Sequence, residues 1–152
     1  TLDRSSAASD VYKRQVLEYH PLFIKPNKDE LEEMFDVTIK SDQDVVKYGR
    51  EIVKNGAQSV IISLGGDGAI YVDETRSIKA QNPKGEVVNT VGSGDSTVAG
   101  MVAGLELGLS LEEAFCQAVA SGTATAFNDD LALREDIEKI KSQVTISVLD
   151  GE

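Results

Sequence analysis

Cysteine, histidine and tryptophan are nearly absent from this sequence. Its 152 residues include one cysteine, one histidine and no tryptophan, and only 5% of them are aromatic. The single cysteine, Cys116, leaves no cysteine pair for a disulfide or a zinc site. Because it falls in an alanine-rich helical pattern, we expect it to be a buried packing residue in a reducing, cytoplasmic setting.

Positive charge is also scarce. The 15 lysines and arginines are outnumbered by 26 acidic residues, and the net charge of −11 repels both nucleic acid and anionic lipid. We therefore expect no nucleic-acid partner and no membrane partner. A phosphorylated small molecule remains compatible, because backbone dipoles can outweigh net charge at one site. No apolar run approaches the about 20 residues needed to span a bilayer, and the N-terminus lacks the apolar stretch of a signal peptide.

The first 15 residues have no apolar period and are predicted to be a tail. Within them, Asp10–Gln15 (DVYKRQ) resembles the translation of a transposon adapter used in sequencing libraries. Two interpretations are open, a non-native extension or an ordinary disordered N-terminal tail. We predict that residues 1–15 form such a tail and that residues 16–152 form the folded part.

Strand patterns alternate with helix patterns along residues 16–152. The continuous β-branched run at residues 59–64 is typical of a strand buried on both faces. Asn27 followed by Glu30 is a helix-capping signal. The predicted strands are residues 21–25, 59–64 and 144–148, and residues 69–72 and 76–80 are predicted to form a hairpin or edge strands. The predicted helices begin near residues 27, 41, 94, 110 and 134. Alternation of this kind predicts an α/β fold with a mainly parallel sheet.

The segment NTVGSGDSTVAGMVAG is broken by glycines at its start and is small and apolar thereafter. Gly92, Ser93 and Gly94 let backbone N–H groups approach a ligand, and a helix starting near Gly94 adds its own unpaired N–H groups. Together these groups predict an anion hole suited to phosphate oxygens. Local physics leaves two interpretations of Asp95 open, a helix N-cap or a general base that takes a proton from a substrate hydroxyl.

Three motifs together resemble the PfkB (ribokinase-like) family of carbohydrate kinases. In chain order they are KPNKDEL, the loop SLGGDGAIYV after a buried strand, and NTVGSGDSTVAGMV. Their order and spacing are those of that family. FIKPNKDELEEMF and SGTATAFNDDLA also resemble the branch that phosphorylates fructose 1-phosphate. The resemblance covers about residues 16–150. It implies a three-layer α/β/α fold of which this chain is the C-terminal portion, without the β lid and the N-terminal half.

The resemblance implies a chemical role for each matching residue. Asp95 is expected to be the base, and the anion hole that precedes it is expected to hold the γ-phosphate. Asn27 and Glu30 are expected to organise Mg²⁺ and its waters, with helix capping as a compatible alternative. The residues implied in ATP binding are Ser63, Gly65, Gly66, Asp67, Gly68, Gly94, Gln117 and Asn128. For the glycine loop among them, the alternative is a plain turn that ends a strand.

The reaction implied by the resemblance is transfer of the ATP γ-phosphoryl group to fructose 1-phosphate, which gives fructose 1,6-bisphosphate. The full-length enzyme is expected to be a cytoplasmic homodimer. Phosphorylation of tagatose 6-phosphate with the same machinery is an alternative. A nucleotide-binding module without catalysis is an alternative of another class, and Asp95 argues against it. We expect this chain alone to be inactive, because the family's sugar site and lid belong to the absent half.

Overall fold

The computed structural model describes residues 23–82, 93–126 and 134–149. Its helices are α1 (Lys28–Phe35), α2 (Asp42–Lys54), α3 (Ser93–Glu106), α4 (Leu111–Ala126) and α5 (Arg134–Lys141). Its strands are β1 (Ser59–Ser63), β2 (Ala69–Asp73), β3 (Ser77–Gln81) and β4 (Thr145–Val148). The predicted α/β class is confirmed. The predicted tail, residues 1–15, lies outside the described residues.

The four strands form a sheet in the order β1-β2-β3-β4. β1 and β2 are antiparallel, with Ser59 opposite Asp73 and Ser63 opposite Ala69. The expectation of a mainly parallel sheet is therefore not confirmed, and for this pair of strands it is wrong. The physical reason is the short link between them, residues 64–68, which has no room for the helical crossover that parallel neighbours need.

A short segment runs parallel to β1 on the side away from β2. It meets β1 at two isolated bridges, Ile24 with Val60 and Asn27 with Ser63. The Ser63 N–H donates to the Pro26 carbonyl over 3.1 Å. Of the first predicted strand, residues 21–25, the structure describes residues 23–25, and there it shows the Ile24 bridge and no regular strand. Pro26, which has no N–H to donate to a ladder, follows directly.

The chain divides into two compact units, and the first contains residues 23–65, 69–78 and 148–149 of the described part. In this unit α1 and α2 pack against β1, and α2 also packs against β2. The predicted helix start near residue 41 is confirmed, and the Ser41 hydroxyl caps this helix by accepting from the Asp44 N–H over 3.2 Å. The buried core consists of Ile24, Leu31, Met34, Ile39, Val45, Val46, Ile52, Ala57, Val60, Ile62, Ile70 and Val72.

The second unit contains residues 66–68, 79–82, 93–126 and 134–147 of the described part. Its main feature is the close packing of α3 against α4. A Cβ added at Gly100 would lie 2.7 Å from the Ser121 Oγ, and one added at Gly104 would lie 3.0 Å from the Ala114 Cα. As residue numbers rise in α3 they fall in α4, so the two helices are antiparallel. The absence of side chains at the two glycines lets their backbones approach closely.

The turn between β2 and β3 is organised by Asp73. Its Oδ1 accepts from the N–H groups of Thr75 over 2.9 Å and Arg76 over 2.7 Å, and its Oδ2 accepts from the Tyr71 hydroxyl over 3.0 Å. Burial alone would raise the pKa of Asp73, but these hydrogen bonds outweigh it and lower that pKa. Burial of Tyr71 and the charge of Asp73 raise the pKa of the Tyr71 hydroxyl to about 12.

This raised pKa predicts a loss of stability at alkaline pH. The unfolded chain releases the Tyr71 proton near pH 10.0, whereas the folded chain keeps it to about pH 12. The stabilisation is therefore fully present below pH 10 and is lost as the pH rises towards 12. We expect urea unfolding to show this loss in the parent chain and in Tyr48→Phe, which retains the Tyr71–Asp73 pair. Tyr71→Phe should lack that part of the loss, and an unchanged alkaline profile in this variant would contradict the assignment.

Candidate functional site

Asp95 is the third residue of α3, which begins at Ser93. The predicted helix start near Gly94 is therefore confirmed to within one residue. An N-cap precedes the first helical residue, so Asp95 lies inside the first turn and does not cap its own helix. Its side chain is exposed. The positive end of the helix dipole, and the first-turn N–H groups that have no partner within the helix, lie beside this carboxylate. A helix end binds anions through that dipole and those N–H groups.

Two of the residues implied in catalysis and ATP binding fall outside the described part of the chain. They are Gly92, expected in the anion hole, and Asn128, expected near the adenine. Both assignments stay predictions. Among the remaining residues, Ser93 and Gly94 form the start of α3, as a helix-terminal anion hole needs.

The glycine loop after β1 forms a 3₁₀ turn at Gly65–Asp67. Gly65 and Gly68 have φ values of +62° and +95°, a region that favours glycine. A Cβ at Gly68 would lie 1.9 Å from the Ala80 carbonyl oxygen, so the loop lies directly against β3 there. A Cβ at Gly65 or Gly66 would meet no atom within 4 Å. The loop is therefore fixed at Gly68 and presents open backbone at Gly66, which gives room for a phosphate or a ribose.

Asn27 and Glu30 form the predicted capping pair at the start of α1. The Asn27 Oδ1 accepts from the Glu30 N–H over 2.7 Å, and the Asn27 Nδ2 donates to the Glu30 Oε1 over 2.7 Å. Both side chains are exposed. The bridge between Asn27 and Ser63 places this pair beside the end of β1. The structure thus brings together Asn27, Glu30 and Ser63, three of the residues predicted for metal and ATP.

A metal ion at the Asn27–Glu30 pair would have few protein ligands. Within residues 23–82, 93–126 and 134–149, no three His, Cys, Asp or Glu side chains are grouped closely enough to hold a metal ion. Mg²⁺ commonly keeps several waters and takes only one or two carboxylates. The Glu30 carboxylate is exposed and is oriented by the Asn27 amide. An exposed, pre-oriented carboxylate of this kind fits a hydrated Mg²⁺.

Gln117 and a residue pair that the sequence analysis missed connect α3 to α4. The Gln117 Nε2 donates to the Gly100 carbonyl over 3.1 Å, so the amide predicted to approach adenine is engaged between the helices. Its role towards ATP stays a prediction. The Ser96 Oγ and the Thr125 Oγ1 lie 2.8 Å apart in a hydrogen bond. The repeat of small residues at Ser96, Gly100 and Gly104 indicates one helix face, but it carries no sign of the partner on α4.

The comparisons with known proteins identify the family of the chain. A family model described as pfkB family carbohydrate kinase matches residues 2–133. The chain therefore belongs to the pfkB family of carbohydrate kinases. In the described part of the chain, no helix has both the length and the apolar character required to cross a membrane.

Relatives within the family are named for phosphorylation of sugar phosphates. The chain is 44% identical over 132 residues to the 1-phosphofructokinase of Bacillus subtilis, covering 87% of this chain and 44% of that protein. It is 41% identical over 134 residues to the D-tagatose-1-phosphate kinase of Bacillus licheniformis, covering 88% of this chain and 44% of that protein. The chain spans about half the length of the curated relatives it matches.

A solved structure confirms the ribokinase-like α/β fold. The chain matches the crystal structure of a candidate phosphofructokinase from Staphylococcus aureus with a TM-score of 0.88 and 63% sequence identity. The match covers 100% of this chain and 55% of that one. The resemblance inferred from the three sequence motifs is therefore confirmed for the family and for the ribokinase-like α/β class. The expected three-layer arrangement stays a prediction.

The contrast between Gly68 and Gly66 gives a matched test of the loop. We expect Gly68→Ala to lower the free energy of unfolding by at least about 2 kcal/mol, because it adds positive-φ strain and a clash with the Ala80 carbonyl. Gly66→Ala should change it by less than about 0.5 kcal/mol, since its Cβ would enter open space. Chemical denaturation measures both values. Equal costs at the two positions would contradict this description of the loop.

Proposed function

We propose that this chain is the C-terminal portion of an ATP-dependent 1-phosphofructokinase, which converts fructose 1-phosphate to fructose 1,6-bisphosphate. The observation that carries the proposal is Asp95, an exposed carboxylate in the first turn of a helix, in a chain of a carbohydrate kinase family. A protein that only bound a nucleotide would have no need of a base beside an anion hole. The relative named 1-phosphofructokinase supports the choice of substrate.

In the proposed mechanism Asp95 accepts the proton of the substrate hydroxyl while the oxygen of that hydroxyl attacks the γ-phosphorus of ATP. The bond between that phosphorus and the oxygen bridging to the β-phosphate breaks, and ADP leaves. N–H groups at the start of α3, together with the helix dipole, stabilise the charge on the transferring group. The ATP phosphates or ribose are proposed to lie beside Gly65 and Gly66, where an added Cβ would meet no atom within 4 Å. Positioning and electrostatics supply most of the rate enhancement, as in other phosphoryl transfers.

The proposed metal is Mg²⁺, held through the Asn27–Glu30 pair. Mg²⁺ neutralises charge on the phosphate oxygens when it is bound. Glu30 contributes a carboxylate to the ion or to its waters, and Asn27 orients that carboxylate while it caps α1. The capping role and the metal role use the same hydrogen bonds and support each other.

The proposal assigns the rest of the enzyme to a further stretch of chain. Its relatives are about twice as long, and we infer that the other half supplies the sugar site and a lid. The parallel bridges of Ile24 and Asn27 to β1 support a larger sheet with parallel strands. We propose a cytoplasmic homodimer for the full-length enzyme. The 152-residue chain alone is proposed to lack sugar-dependent ADP release.

A tagatose phosphate kinase is the second candidate. It is favoured by the 41% identity to the D-tagatose-1-phosphate kinase of Bacillus licheniformis. A coupled ADP-release assay on the full-length enzyme distinguishes the candidates, with fructose 1-phosphate, tagatose 1-phosphate and tagatose 6-phosphate as separate substrates. The highest kcat/KM is expected for fructose 1-phosphate. A preference for either tagatose phosphate would transfer the assignment to the second candidate.

Asp95→Asn tests the proposed base. In the full-length enzyme we expect kcat to fall by roughly 10²–10⁴-fold, because the amide cannot accept the hydroxyl proton. Glu106→Gln, an equally conservative change of an exposed acid at the other end of α3, should leave kcat unchanged. Near-normal turnover of Asp95→Asn would remove this residue from the mechanism and favour a different reaction.

Glu30→Gln tests the proposed metal contact. The glutamine oxygen still accepts the Asn27 amide hydrogen bond, so the unfolding free energy should change by less than about 0.5 kcal/mol. The Mg²⁺ concentration for half-maximal activity should rise roughly tenfold, because the ion or its waters lose a negative ligand. Glu33→Gln on the same helix, also exposed, should leave it unchanged. An unaltered Mg²⁺ dependence in Glu30→Gln would restrict the pair to helix capping.

A further inference from the structure

One hydrogen bond ties the first turn of α3 to the last turn of α4. It joins the Ser96 Oγ to the Thr125 Oγ1 over 2.8 Å. Ser96 directly follows Asp95, and Thr125 is the last residue but one of α4. Ser96 is half-buried and Thr125 is only 4% exposed. The bond is therefore largely shielded from water and lies next to the proposed base.

The direction of Ser96 determines the direction of Asp95. Successive residues of an α-helix point about 100° apart around its axis. Ser96 faces α4, and Asp95 is exposed. Gly100 and Gly104 lie on the same face as Ser96, and a Cβ added there would lie 2.7 Å from the Ser121 Oγ and 3.0 Å from the Ala114 Cα of α4. This contact face, together with Ser96, fixes the rotation of α3 about its axis and hence the side to which Asp95 points.

The hydroxyl pair acts at a different place from the other contacts between α3 and α4. The Gln117 Nε2 donates to the Gly100 carbonyl over 3.1 Å and Gly104 lies close to Ala114, and both glycines lie beyond the first turn of α3. A hydrogen bond is directional, and its donor–acceptor distance is confined to a narrow range. The first turn of a helix also has N–H groups without intrahelical partners, and it loosens more easily than the middle. A directional contact at Ser96 therefore acts at the turn that most needs one.

Packing alone would not require hydroxyl groups at these two positions. Alanine at position 96 and valine at position 125 would fill comparable space with apolar atoms. A buried hydroxyl is costly unless it finds a partner, and here each hydroxyl is the partner of the other. The pair thus contributes a specific geometry between the helices in addition to contact area.

We propose that Ser96 and Thr125 are positioning residues for Asp95. Their hydrogen bond holds the first turn of α3 wound and in place, so that the Asp95 carboxylate stays within reach of the hydroxyl it deprotonates. This inference rests on the proposed function, because it assumes that Asp95 is the base. Misplacement of a reacting group by about 1 Å is enough to lower a rate by up to about 10²-fold.

The test uses the full-length enzyme with single hydroxyl changes. Thr125→Val and Ser96→Ala each remove one hydroxyl, and kcat should fall about tenfold with the KM values for ATP and sugar phosphate within about twofold. Thr125→Ser keeps the hydroxyl and should restore kcat to within about twofold. Thr123→Val removes another buried α4 hydroxyl, which donates to the Asn82 Oδ1 and not to α3, and should leave kcat unchanged.

A double-variant comparison separates positioning from general structural damage. If the hydroxyl pair acts through Asp95, Thr125→Val should produce no further loss in an Asp95→Asn background. The same tenfold loss in both backgrounds would overturn the positioning role while leaving the proposed function intact. An unchanged kcat in both Thr125→Val and Ser96→Ala would also overturn the positioning role and leave the proposed function intact. If Thr125→Val does not fold, Ser96→Ala decides, because alanine favours a helix.

Asp95→Asn and the hydroxyl variants together show which of the two proposals fails. Normal activity of Asp95→Asn is the first outcome to consider. It would overturn the proposed mechanism and, with it, the positioning of a base by Ser96 and Thr125. Loss of activity in Asp95→Asn together with full activity of the hydroxyl variants would overturn only the positioning role.

Discussion

The burial of β1 is the constraint on which the first unit depends. Val60, Ile61 and Ile62 are each 0% exposed, although successive side chains of a strand point to opposite faces. Both faces must therefore be covered, and the backbone groups of both edges need partners. β2 pairs with one edge, and the segment containing Ile24 and Asn27 pairs with the other in parallel. As a result, the end of β1 and the start of α1, which carries the proposed metal pair, lie side by side.

The features that could be predicted from the sequence are those decided within a few residues. The capping pair of Asn27 and Glu30 spans three residues, as does the cap that Ser110 forms with the Glu113 N–H over 3.2 Å. A cap needs only a polar side chain at one position and a free N–H just after it, so the local sequence is sufficient. The β-branched run of β1 was equally clear, because burial on both faces removes the usual alternation.

The features that escaped prediction are those that the residue pattern within a single helix or strand does not encode. Burial on both faces suggested parallel strands, but it records only what covers a strand and carries no information on the direction of its neighbour. The pairing of Ser96 with Thr125 joins residues 29 positions apart, and a serine in a helix gives no sign of its partner. The sequence also leaves open whether Asp95 is an N-cap or a first-turn residue. Asp95 would be the N-cap if the helix began at residue 96, and it lies in the first turn because the helix begins at Ser93.

The antiparallel arrangement of α3 and α4 also bears on how the protein folds. The two helices are joined by the short link of residues 107–110, and their contacts lie within residues 93–126. Proteins dominated by contacts close in sequence tend to fold faster than those that must close long loops. The carboxylate at Asp95 is therefore presented by a hairpin of low contact order. Because the link is short, the contacts between α3 and α4 close only a small loop and cost little loop-closure entropy.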